Sequence, residues 1–322
     1  MRVPEHSPAP VSAKKVCRIA KKSRFGRETG LGYLFASPWL IGFVVFGLYP
    51  IGMSIYYSLC RYDVLRPPMF VGLANYRYLF AESSTFWHSI RNTLVFTVFR
   101  VPLVILGSLL LAMLVERQRP GIRLARTLYY LPSIISGVSL SVIWLWLYNP
   151  KHGLINQFLM HFGIQTPLWL ESPTWSKPAL ILMGLWSIGG GRMILFIAGL
   201  NSVPRQLYEC ALLDGAGWWH RFRHITLPQI AGILFLLTVA EMIGSFQVFT
   251  ESYIMTRGGP SNSTLFYNLE LYNRAFLDYQ MGLASAMAWL LFLGTMAVTT
   301  ALFRWVGTRI YYEASGADGK RF

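Results

Sequence analysis

Residues 31–60 run for 30 positions without a charged side chain. A soluble fold has little use for such a stretch, whereas a helix that crosses a lipid bilayer needs about 20 apolar residues. Five further apolar stretches follow, so spans are expected at about 31–60, 92–115, 127–149, 178–200, 229–250 and 281–303. Inside hydrocarbon every backbone N–H and C=O must find its partner within the segment, which makes each span a helix. The expected fold class is an all-α membrane protein with six transmembrane helices. Its membrane domain covers 31–305, between a basic tail at 1–30, expected to be disordered, and a second tail at 306–322. Composition agrees, because 13% of the residues are charged against about 25% in soluble domains.

Charge then orients the bundle. The N-terminal tail, 116–126, 201–228 and the C-terminal tail hold 19 Lys and Arg, whereas 61–89, 150–177 and 251–280 hold 7. Positively charged loops stay in the cytoplasm, so both termini and 201–228 are expected on the inner side of a cell membrane. The net charge of +15 follows from this distribution, and no basic stripe with interleaved aromatics marks a nucleic-acid partner. The first apolar run is too long for a signal sequence and lacks a small-residue cleavage site, so it is expected to remain attached. Cys17, Cys60 and Cys210 are an odd set with no close pairing and imply neither a disulfide framework nor a metal site.

Three ionisable residues fall within the spans: Arg100, Arg192 and Glu241. Each costs about 2.5–3.5 kcal/mol at a helix centre, so each is expected to face protein or a wet path. Arg192 and Glu241 flank the loop at 201–228 and either pair with one another or line a solute path. Gly189-Gly190-Gly191 lets the fourth span bend and bare its carbonyls, or serves close helix packing. Ser245 and Gln247 lie beside Glu241, with Trp186, Phe246 and Phe249 supplying aromatic faces. Hydroxyls, an amide and aromatic faces are what a carbohydrate site wants, although any polar solute could use them.

The loop 201–228 is polar yet sits between two spans. Asn201 or Ser202 can cap a helix and Pro204 suits its first turn. Asp214-Gly215 breaks the helical run, and Trp218, Phe222 and Ile225 form a second apolar stripe. Two short helices with a bend between them are expected, presenting apolar side chains that want a partner.

The same loop carries a spaced pattern: Glu209-Cys210-Ala211, three residues, Gly215, nine residues, Ile225-Thr226-Leu227-Pro228. In this it resembles the membrane subunits of binding-protein-dependent ABC importers, with Cys210 where the family usually has Ala. Further segments are similar to the sugar-uptake branch, most of all to the first of its two membrane subunits. They are Tyr33-Leu-Phe-Ala-Ser-Pro-Trp-Leu-Ile-Gly42, Phe70-Val-Gly-Leu-Ala-Asn-Tyr76, Tyr130-Leu-Pro-Ser133, Ile197-Ala-Gly-Leu200, Phe246-Gln-Val-Phe249 and Tyr253-Ile-Met-Thr-Arg-Gly-Gly-Pro260.

The resemblance implies a type I importer permease bundle. It also implies a second permease subunit of different sequence, two cytoplasmic ATPase subunits and an extracytoplasmic solute-binding protein. Glu209, Cys210, Ala211, Asp214, Gly215, Ala216, Phe222, Ile225, Leu227 and Pro228 would form the loop that docks on the ATPase. Trp186, Gly189, Gly190, Glu241, Ser245 and Gln247 would lie on the solute path. ATP and Mg2+ would be used by the partner ATPase, with no cofactor on this chain. The chain itself has no Gly-x4-Gly-Lys-Ser/Thr, since Gly316-Ala-Asp-Gly-Lys-Arg321 lacks the spacing and the hydroxyl. No zinc spacing, nucleophile elbow or carboxylate pair stands out, so it is read as a non-enzyme. The rival reading is an ion-gradient-driven secondary transporter. That would want several intramembrane acids or His, where only Glu241 qualifies.

Overall fold

The computed structural model describes residues 32–116 and 121–306. The tails read at 1–30 and 306–322 lie outside these residues, save Val306, as do residues 117–120 of the basic stretch 116–126. The chain divides into two compact units, one ending at Tyr56 and the other beginning at Tyr57.

The described part of the first unit, 32–56, belongs to one apolar helix, α1 (Gly32–Ser58). It holds no buried side chain up to Tyr56, and Trp39 stacks on Phe43 at 5.5 Å. Its backbone widens into a π turn at Val44–Leu48, where the N–H of Tyr49 donates to Val44 O. Pro50 is the cause: a proline ring clashes with the carbonyl four residues back, and one wide turn relieves it.

The second unit is built on α2 (Ser84–Val115), which the Ser83 hydroxyl caps by accepting from Phe86 N at 3.3 Å. Pro102 is accommodated inside this helix without a break. At its far end the Arg126 guanidinium donates to Val115 O and Glu116 O, satisfying carbonyls that the helix leaves open. Against α2 pack α5 (Ser176–Leu185), α6 (Gly191–Ser202) and α9 (Ala231–Phe246), and α9 also meets α10 (Met281–Val306). A core of Val101, Ile105, Leu109, Phe196, Leu200 and Met242 fills the space where α2, α6 and α9 meet. Between the spans, Cys60–Arg61 pairs antiparallel with Met69–Phe70, and the Asn75 amide donates to Ser58 O and Cys60 O.

Among the described residues, four helices are long and apolar enough to cross a membrane: α1, α2, Ala231–Met255 and Met281–Trp305. A fifth follows if a bent pair is one span, since α3 (Ile122–Tyr130) runs on through Ile134 and meets α4 (Gly137–Leu147) at 99°. The stretch read as the single span 127–149 therefore turns a corner in its middle. Pro132 sits in a 3-10 turn, Ile135 is extended, and Ser136 starts the new helix by accepting from Ser139 N. The stretch read as 178–200 is likewise two helices, α5 and α6, parted by residues 186–190. There the backbone bonds shorten to three-residue spacing, as from Ser187 N to Gly184 O and Ile188 N to Leu185 O.

Candidate functional site

The hairpin at 201–228 consists of α7 (Arg205–Leu213) and α8 (Trp218–Arg221), the latter continuing through a π turn, Phe222–Thr226, into Leu227–Gln229. The bend between them is a Schellman cap. Ala216 N donates to Ala211 O at 2.9 Å and Gly215 N to Leu212 O at 3.1 Å, closing the open carbonyls of α7. The cap needs a left-handed residue after the helix, and Gly215 supplies it at φ 73°. The π turn precedes Pro228 as the one in α1 precedes Pro50, with Leu227 N donating to Phe222 O.

One side of the hairpin is rooted in the protein. Tyr208, Phe222 and Ile225 pack against the α2–α6–α9 core, and the Tyr208 hydroxyl meets Thr226 Oγ1 at 2.8 Å, bracing the two arms. The other side is bare. Glu209, Cys210, Asp214, Gly215 and Pro228 are exposed, Ala211, Ala216 and Leu227 half-buried, and Leu213 stands 89% exposed. Leu212, one helical turn on from Tyr208, is exposed. Trp218 stacks on Phe222 with Trp219 beside them. Between the arms lies a hollow of about 410 Å³, lined by Asp214, Ala216, His220, His224 and Ile225 among others. A bare, partly apolar hairpin keyed into three long helices has the mechanical form of a lever.

Deeper in the second unit, the three intramembrane charges come together. Glu241, with its side chain 6% exposed, accepts from Arg192 Nη1 on one oxygen and faces Arg100 Nε at 3.3 Å with the other. Arg100 also approaches Glu251 at 3.8 Å and lies 5.3 Å over the Phe96 ring. The cluster has two positive and two negative groups and ties α2, α6, α9 and the short helix Thr250–Met255 together. Arg100 lies against Gly184, where a Cβ would meet Nε at a van der Waals distance of 3.4 Å.

Arg192 also opens onto a polar cavity of about 400 Å³, lined with Ser133, Ile135, Ser187, Gly190 and Gly191. This cavity lies where the two broken stretches meet. Gly189 and Gly190 allow that meeting, because a Cβ on Gly189 would fall 2.3 Å from Tyr129 O and one on Gly190 2.6 Å from Ser133 Cβ. The carbonyl bared by the break, Ile188 O, accepts from the Ser108 hydroxyl on α2. The break and the close packing, read from sequence as alternatives, thus occur together at Gly189 and Gly190, while Gly191, with nothing within 4 Å of a Cβ, takes no part in the packing.

The residues read as a solute path are not all brought together. Gly190 lines this cavity and Glu241 reaches it through Arg192, while Gly189 packs behind it. Gln247 lines a different cleft of about 640 Å³ with Asn268, Thr295, Thr299 and Thr300. Ser245 is buried with its hydroxyl unpaired, and Trp186 sets its edge against Trp144 at 5.8 Å. Ser133 and Ser187 were missed as cavity residues. The Pro132 that breaks the third stretch was the available signal.

Fold and hairpin geometry together describe a helical membrane protein with a hairpin rooted in its core on one side and uncovered on the other. The chain belongs to the family described as binding-protein-dependent transport system inner membrane components, whose model matches residues 101–311. It is the permease component of an ABC transport system and not its catalytic part; ATP is hydrolysed by a separate subunit. Among its relatives is the probable ABC transporter permease protein YesP of Bacillus subtilis, 38% identical over 299 residues, covering 91% of this chain and 96% of that protein. The lactose transport system permease protein LacF of Rhizobium radiobacter is 35% identical over 76% of this chain and 83% of its own. The fold matches a chain of a bacterial ABC transporter involved in the import of the acidic polysaccharide alginate. That match has a TM-score of 0.77 at 22% identity, covering 89% of this chain and 98% of the other.

Proposed function

We propose that this chain forms one half of the translocation path of an importer for a sugar or sugar-like solute, and that the hairpin 201–228 is where an ATPase subunit grips it. The observation that carries this reading is the two-sidedness of the hairpin. Its inner side shares a core with α2, α6 and α9, and its outer side carries Glu209, Leu213 and the Gly215 bend uncovered. A force on the outer side is passed to the helices that enclose the charge cluster and the polar cavity.

In this reading six spans place both termini and the hairpin in the cytoplasm, as the distribution of Lys and Arg supports. A second permease of different sequence completes the path, two ATPase subunits consume ATP with Mg2+, and an extracytoplasmic binding protein delivers the solute. The sugar assignment is supported by a lactose permease among the relatives and by the make-up of the cavity. The hydroxyls of Ser133 and Ser187 and the Arg192 guanidinium offer a polyhydroxylated solute both acceptors and donors. Glu241 acts on solute through Arg192, and Gln247 belongs to a separate stretch of the path.

The test is uptake by proteoliposomes holding the full complex with its binding protein. Uptake that requires ATP hydrolysis and collapses in Glu209→Ala, while the complex still assembles, supports the proposal. Uptake that persists without ATP, or follows an imposed ion gradient, rejects it.

A further inference from the structure

The connection after α4 contains a short helix, Leu154–His161, that the transport reading leaves without a task. Its inner side is fixed to the protein. Ile155 packs against the cluster of Trp144, Tyr148 and Leu180, and buried Asn156 donates to Asn149 O and accepts from Trp169 Nε1 at 2.8 Å. At 100° per residue, Leu154, Phe158 and Phe162 fall on an adjoining flank, while Gln157 and His161 fall beyond Leu154, away from the side that Ile155 occupies. The apolar arc is therefore about twice as wide as the protein covers. Its outer half is bare: Leu154 is 52% exposed, Phe158 66% and Phe162 63%, with Phe158 and Phe162 edge to face at 5.0 Å.

Three observations say what covers that flank. The helix begins seven residues after Leu147, where α4 ends, and packs on α4, so it sits at the rim of the apolar bundle rather than on a distant loop. Trp169, which donates to Asn156, flanks it, with Trp175 edge to face behind at 5.6 Å, and indoles of this kind gather at the membrane–water boundary. From Pro150 to Leu170 the chain has no Asp or Glu, so no carboxylate on this stretch repels anionic lipid headgroups.

We infer that Leu154–His161 lies in the plane of the membrane interface, with Phe158 and Phe162 at the centre of the flank dipped among acyl chains, Leu154 at its edge, and Gln157 in the headgroup layer. The occupant is the lipid surface. A binding protein that docks and leaves would strip the flank bare at every release, whereas the bilayer covers it throughout. The helix then acts as a float, fixing the height of α4 and of the polar cavity at its start relative to the membrane.

The experiment is electron paramagnetic resonance on the full complex in lipid nanodiscs. Single spin labels are placed at Phe158→Cys and Gln157→Cys, with Leu154→Cys as a second apolar position, after the native cysteines are replaced. Assembly with the ATPase subunits checks each variant. Labels at 158 and 154 should be severalfold more accessible to oxygen than to a water-soluble nickel reagent, and the label at 157 should show the reverse, with or without binding protein. Equal exposure of 158 and 157 to the nickel reagent would overturn the inference. So would protection of 158 only when binding protein is added, which would make the flank a protein-docking surface.

Discussion

Removing Glu241 should break the second unit at its electrostatic hub. Glu241 holds Arg192 and Arg100, one on each oxygen, and is almost wholly buried. Without it Arg192 keeps Ser187 Oγ at 3.5 Å, and Arg100 keeps Glu251 at 3.8 Å and the face of the Phe96 ring. Breaking a buried pair from one side costs about 3–5 kcal/mol, mostly because the surviving charge stays buried and unpaired. Arg192 borders a polar cavity and can be rescued in part by water, so Glu241→Leu should fall at the lower end of that range, about 3 kcal/mol. Arg192→Met leaves Glu241 still facing Arg100 and should cost less. The pair of changes should not add, and the double variant should recover about 0.5–3 kcal/mol relative to the sum of the singles. The assay is the loss of folded, assembled complex in detergent with rising denaturant, for the parent, both singles and the double. Additive effects, or a silent Glu241→Leu, would refute the claim that one carboxylate ties these helices together.

Other changes probe the hairpin and the crossing of the broken stretches. Gly215→Ala has open space around the new methyl but must hold φ 73°, so it should cost about 1–2 kcal/mol of local stability. Uptake should fall more steeply than complex yield, measured side by side. Tyr208→Phe removes the brace to Thr226 and should lower hairpin stability by about 0.5–1.5 kcal/mol, read as faster proteolytic cleavage within 201–228. Gly189→Ala drives a methyl into Tyr129 O, and such overpacking should cost about 1–3 kcal/mol, seen as a lower melting temperature of the complex. Gly191→Ala, where nothing lies within 4 Å, should be close to neutral in the same measurement.

The helical, membrane-embedded character of the chain was legible because hydropathy reports directly on what a bilayer requires. The corner at Pro132–Ser136 was not, because the stretch is charge-free on both sides of it. Hydropathy counts charged groups and is blind to where a helix loses its hydrogen bonds. Arg192 and Glu241 were marked as costly and as possible partners. That Arg100 joins them depends on the packing of α2 against α9, and Glu251 lies just past the end of the apolar run, where it reads as a loop residue. Within the hairpin, Gly215 and the bend follow from local chemistry. The exposure of Leu212 depends on which side of α7 the core takes.

The most direct test of the central claim places a photo-crosslinking amino acid at Ala216, on the exposed bend of the hairpin, in the assembled transporter. The account predicts that it captures the ATPase subunit and that the yield or pattern of capture changes between nucleotide-free and ATP-trapped complexes. Capture of lipid or of the extracytoplasmic binding protein in both states, with no ATPase adduct, would contradict it.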